Sequence, residues 1–158
     1  MNQAVVAPRP WSPPSVSDIL LDELKKGLTS LATVLTSAGV AIVTNRIIQA
    51  GTAAKNIGWG IGTTAAAVAD TALQTESAPT TSGGRTVGTE TRATTTVTND
   101  TYQVAGTVTA TSSLAITEAG LLDAVSAGNL LIHAIFSAVN VNSGDSIAFT
   151  FQTKFVAA

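Results

Sequence analysis

The segment SIAFTFQTKF at 146–155 sets Ile147, Phe149, Phe151 and Phe155 against Ser146, Ala148, Thr150, Gln152 and Lys154. Alternation of this kind puts apolar and polar side chains on opposite faces of a β-strand. A slip of one residue would turn the phenylalanines into water, so the register is well specified. The same period recurs upstream: Val87, Ala93 and Val97 among threonines, then Tyr102, Val104, Val108 and Ala110, then Leu114 and Ile116, then Leu130, Ile132, Ala134 and Phe136. The turn signals TND, SAGN and NSGD separate these runs. Short strands at this spacing predict a mainly β fold, an antiparallel β-sandwich or barrel-like domain.

Ahead of the strands, the chain divides into pieces of different character. Residues 1–16 hold Pro8, Pro10, Pro13 and Pro14, which remove backbone donors and favour extended neighbours, so this stretch is expected to be an extended arm. Trp11 is its one bulky anchor, and the arm folds over its own domain or straps a neighbouring subunit. Residues 17–50 are expected to be a helical segment packing on the sheet. Ser15 or Ser17 offers an N-cap, Leu20, Leu24, Leu28, Leu31 and Leu35 form a stripe at spacings of three and four, and Gly39 is a plausible stop. Residues 51–158 are then the sandwich. Within it Ile57, Trp59 and Ile61 alternate with Gly58, Gly60 and Gly62, leaving one strand face without side chains, and something must approach that face closely. The threonine-rich strand at 91–98 suits an edge or a sheet face shared between subunits.

Composition narrows the function. Only 11% of the 158 residues are charged, the net charge is −2, and Lys25-Lys26 is the one paired basic site, so no basic field for nucleic acid is present. A surface this weakly self-repelling suits a subunit of an assembly. With no cysteine, disulfides and thiolate metal sites are excluded. The uncharged run 27–45 is about as long as a membrane span, but its hydroxyl residues and Gly39 mark it as protein interior rather than membrane.

Few residues carry recognisable chemistry. The lone His133 shares its strand alternation with Leu131, Ile135 and Val139 and reads as a packed or interfacial imidazole. No Gly-x-Ser-x-Gly elbow, phosphate loop, dinucleotide fingerprint, zinc set or calcium loop is present, so no catalytic, cofactor-binding or metal residues are assigned. An oxygen-ligated ion between subunits would leave no motif. Asn99 opens a formal glycosylation sequon, read here as a turn. Glu118, alone in the apolar run SLAITEAGLL, needs a partner if buried. Arg92 or Arg85 is expected to hold it as a structural latch, since a guanidinium fork satisfies both carboxylate oxygens, with backbone amides as the competing partner and a bulge near Ala119-Gly120 as a way to turn it outward.

The stretches NIGWGIGTTAAAVADTALQTE, the following Arg85, and ITEAGLLDAVSAGNLLIHAIFSAVNVNSGDSIAFTFQTKF, spanning about residues 40–156, resemble small virion structural proteins of tailed bacteriophages. The resemblance implies a β-rich, non-enzymatic subunit of a particle, assembled in the bacterial host cytoplasm. Its first role would be a capsid cement or decoration protein bridging major capsid proteins, and its second a tail, neck or fibre adaptor. A homotrimer suits local threefold positions of a capsid lattice, and Trp11, Pro13, Leu20, Leu24 and Leu28 are the expected inter-subunit contacts. A carbohydrate-binding module is the third reading, poorly supplied by 4% aromatics. A small hydrolase comes last.

Overall fold

A computed structural model describes residues 32–77 and 84–156. It is mainly β, with two antiparallel sheets, as the alternation predicts. The strands are β1 (Ala32–Leu35), β2 (Asn56–Gly60), β3 (Thr86–Val87), β4 (Thr89–Ala93), β5 (Thr101–Thr109), β6 (Leu114–Leu122), β7 (Leu130–Val141) and β8 (Ser146–Lys154). One sheet has the order β1-β7-β6-β2-β3 and the other β4-β5-β8. Their facing sides share a core in which Ile57, Trp59, Ile116 and Leu121 of the larger sheet pack with Val104, Val108 and Phe151 of the smaller. Trp59 meets Phe149 edge-on, with centroids 6.3 Å apart and planes at 84°, a favourable arrangement of ring quadrupoles. Thr150 and Gln152 are exposed on the opposite side of β8, whereas Phe155 falls beyond the strand's end and is 52% exposed.

The hairpin turns follow from side-chain chemistry. At SAGN, Asp123 accepts from the Asn129 amide at 2.7 Å while Gly128 takes φ +76°. At NSGD, Asp145 accepts from the Asn142 amide at 2.8 Å and Gly144 takes φ +94°. The threonine-rich segment supplies an edge strand only as far as Ala93; beyond it Asp100 gathers the amides of Thr95, Thr96 and Val97 into a turn.

Within the described part of the 17–50 segment a helix packs on the sheet, but it begins later than the leucine stripe implies. Ala32–Leu35 is a strand paired with β7, and helix α1 occupies Ser37–Ile47. Thr33 and Val34 are β-branched and favour the pleated surface, so Leu35 ends a strand instead of a helical stripe. Thr36 caps α1, its hydroxyl accepting from the Gly39 amide at 2.9 Å and donating to the Leu130 carbonyl. Gly39 therefore lies in the first turn of the helix. A Cβ there would come within 2.6 Å of the Leu131 carbonyl oxygen, so this glycine is what lets α1 lie against the β7 backbone. Residues 1–31, with the arm and Leu20, Leu24 and Leu28, lie outside the described residues. Among the described residues no helix is long and apolar enough to cross a membrane.

Candidate functional site

The outer face of the larger sheet carries the most concentrated polar chemistry. Across β2 and β6 the register sets Gly60 opposite Glu118 and Gly58 opposite Gly120, and across β6 and β7 it sets Gly120 opposite His133. Gly58, Gly60 and Gly120 thus clear a shallow bed. Residues 73–77 lie over it as a partial strand: the Ile61 amide donates to Thr75 at 3.1 Å and the Ser77 amide to Trp59 at 2.9 Å. This is the close approach the bare glycine face requires. A Cβ on Gly60 would collide with the Thr75 carbonyl and the Glu118 carboxylate, and one on Gly58 would come within 2.9 Å of Glu76 Oε1. Leu73 fills the rest, packing with Leu122 and Leu130 as a second, smaller core.

Glu118 lies in this bed, wholly buried. Its Oε1 accepts from the amides of Gly62 at 3.1 Å and Thr75 at 2.7 Å, and its Oε2 from the Gln74 amide at 2.9 Å. His133 Nε2 stands 3.1 Å from Oε2, and His133 Nδ1 stands 2.6 Å from Asp70 Oδ2. Glu118 is not held by arginine: three backbone amides and an imidazole hold it. The register irregularity that aims it lies between Ile116 and Glu118, not at Ala119-Gly120. It moves Ile116 into the inter-sheet core and Glu118 to the outer face, and the Thr117 hydroxyl donates to the Gly62 carbonyl at 2.7 Å.

His133 is fully buried, as its alternation predicts, and is paired on both sides. Each N···O contact needs one proton, so the ring carries two N–H groups or a carboxyl contributes one. The Ala67 amide first, then His133, hold the Asp70 carboxyl below its ordinary value of 3.8. With both ring nitrogens engaged by carboxylates, neither is available to take a proton from a bound nucleophile. The two carboxylates sit at opposite edges of the ring and do not converge on one point where an ion could bind. What the arrangement does is tie β6, β7 and the 61–77 segment together. Asp70 was missed in the sequence because it lies 63 residues from its partner.

The arginines are placed elsewhere. Arg85 grips Glu76 with a two-pronged contact, Nε to Oε1 at 2.6 Å and Nη2 to Oε2 at 2.8 Å, and its Nη1 donates to the carbonyls of Ala124 at 2.7 Å and Ala127 at 2.5 Å. It thus joins the 73–77 segment to the β6–β7 turn, next to the Glu118 bed but not touching the acid. Arg92 is exposed on the edge strand β4, in the other sheet.

The described surface is notably apolar at the end of α1. Ile47, Ile48, Phe155 and Val156 are each more than half exposed. Ile42, Ile47, Tyr102 and Phe155 border a groove of about 380 Å³ with Arg46 and Glu90 at its rim. Tyr102 Oη lies 2.9 Å from both the Ala54 carbonyl and Glu90, and burial, then Glu90, push its phenol above the ordinary 10.0. Comparison with protein-family models, curated proteins and solved structures found no match to this chain.

Proposed function

We propose that this protein is a non-enzymatic structural subunit of a phage virion, a capsid cement or decoration protein that bridges and stabilises major capsid proteins. The observation that carries the reading is where its polar groups sit. The buried Glu118 and His133 and the nearly buried side chain of Arg85 are paired within the chain, while Val40, Ile47, Ile48, Phe155 and Val156 lie exposed on a surface poor in charge. Other proteins satisfy such a surface better than a small polar substrate does. A homotrimer at local threefold positions is the assembly that goes with this role, with the arm around Trp11 and Pro13 and the stripe Leu20, Leu24 and Leu28 making the inter-subunit contacts. A specific shell contact needs about 1,000 Å² or more of buried surface.

The test is stoichiometry in the native particle, with capsids separated from tails before quantification. Abundance equal to the major capsid protein, on tail-free capsids, supports cement. A few copies confined to tails replace it with a tail, neck or fibre adaptor. Absence from the particle removes both.

A further inference from the structure

We infer that the free edge of β8 is a self-pairing surface, through which two copies of this chain join their three-stranded sheets across a two-fold axis. The first ground is which backbone groups point outward. At one end of the β5–β8 ladder the Phe155 amide donates to Asp100, and at the other the Ala110 amide donates to Asp145. Both bonds set the same phase. In an antiparallel ladder hydrogen-bonded pairs alternate with non-bonded ones, so Thr153, Phe151, Phe149 and Ile147 bond inward to β5. The N–H and C=O groups of Ser146, Ala148, Thr150, Gln152 and Lys154 then point away from β5. Among the described residues no strand pairs with that side.

The second ground is the lack of protection. Edge strands are usually kept apart by charge, proline, a bulge or brevity. The other edges have such features: β1 and β3 have four and two residues, and β4 carries Glu90 and Arg92. β8 has nine residues, an unbroken register with β5, no proline, and a single charge in Lys154 at its last position. That ammonium bonds to Thr96 and lies 4.0 Å from Asp100, and Gln152 donates to Gln103 on β5 at 2.7 Å. Both side chains lean into their own sheet and away from the free edge.

The third ground is self-complementarity, which selects a second copy as the occupant. Centred on Thr150, an antiparallel β8–β8 pair overlaps along the whole strand. It sets outward-facing Thr150 against its own copy, Ala148 against Gln152 and Ser146 against Lys154, and sets Phe149 beside Phe151 on the core side. No like charges meet, and aromatic cross-strand pairs add to the backbone bonds. The contact is two-fold and leaves threefold association to other surfaces. It stands whether or not the protein belongs to a particle.

The absence of cysteine makes the register directly testable. In the full-length chain, mild oxidation of Thr150→Cys should give a covalent dimer, because directly opposed Cα atoms in a bonded pair lie about 5.5 Å apart. Ala148→Cys alone should not cross-link, whereas mixed with Gln152→Cys it should. Thr150→Pro removes an outward N–H and leaves the β5 ladder intact, and Thr150→Lys sets two ammonium groups face to face. Either should raise the dissociation constant of the pairing by about tenfold or more, read as a halved mass in analytical ultracentrifugation. Failure of Thr150→Cys to cross-link in a protein that still folds would overturn the proposal. So would an assembly indifferent to both Thr150 variants, or one lost on removing residues 1–31 but kept in Thr150→Lys, which would assign the contact to the arm.

Discussion

Replacing Glu118 with glutamine preserves size and removes one acceptor oxygen. If the amide oxygen keeps the place of Oε1, it still accepts from Gly62 and Thr75. The NH₂ group then faces the Gln74 amide and the imidazole, where a donor stands in place of an acceptor. The Gln74 N–H loses its partner inside the protein, at a cost of about 1–3 kcal/mol. The imidazole can turn its Nε2 into an acceptor, but the contacts to Glu118 and Asp70 then lose much of their charge assistance, roughly 1–2 kcal/mol more. The flipped amide is worse, since it orphans two backbone donors. The expected loss is about 2–5 kcal/mol, overlapping the roughly 3–5 kcal/mol seen when one partner of a buried pair is removed. Equilibrium urea denaturation measures it, with an unchanged slope showing that the comparison is of like states. Because Glu118 is wholly buried, the loss should barely respond to added salt. A change within about 0.5 kcal/mol, the range of an ordinary surface substitution, would mean the carboxylate latches nothing.

Other perturbations probe the neighbouring contacts. Gly60→Ala drives a methyl into the Thr75 carbonyl and the Glu118 carboxylate, and should cost about 1–3 kcal/mol or more by denaturation. Arg85→Lys cannot grip Glu76 with two prongs and reach both turn carbonyls, so it should lower stability by about 1–3 kcal/mol, whereas Arg92→Lys should stay within about 0.5 kcal/mol; equal effects would refute the division. Folding depresses the carboxyls of Asp70, through the Ala67 amide and His133, and of Asp100, through the Val97 amide first. Their stabilisation is therefore present above the ordinary value of 3.8 and is lost as pH falls below it through the folded-state values. A stability–pH curve should drop in that acid range, and Asp70→Asn or Asp100→Asn should flatten the drop.

How far the sequence could be read depended on the range of the forces involved. Strand register follows from side chains two residues apart, and the runs ending in Phe136 and Phe151 announce their faces. The 32–35 stretch misled because Leu31 and Leu35, spaced by four, continue a stripe that suits a helix in isolation, while pairing with β7 was an interaction with residues about a hundred positions away. Glu118 could be identified as an acid needing a partner, since burial follows from its neighbours. Which partner it took could not. Arginine is visible as a letter in the sequence, but backbone amides at Gly62, Gln74 and Thr75 exist in every sequence and become a carboxylate site only when a loop aims them. His133 was likewise legible as buried, and its two carboxylates were not, because the 61–77 segment that brings Asp70 to it has no regular periodicity.

The glycine-bare face and the lone acid are one arrangement. Glycines at alternate positions of β2 leave room for the Glu118 carboxylate, and the carboxylate draws down the amides of the segment that covers it. That segment lies outside regular structure from Gly62 through Thr75, yet its ends are bonded as firmly as a ladder, to Glu118 and to Ile61 and Trp59. Loops without strand partners ordinarily exchange their amide hydrogens through small local openings. Here the amides of Gly62, Gln74 and Thr75 cannot exchange without releasing a buried carboxylate, so their protection should approach that of β6 and β7. In Glu118→Gln the Gln74 amide should lose protection by a larger factor than the β5–β8 amides do. Rapid exchange at all three positions in the unaltered protein would show that the cover lifts freely, and would sever the link between the glycines, the acid and the stability of the larger sheet.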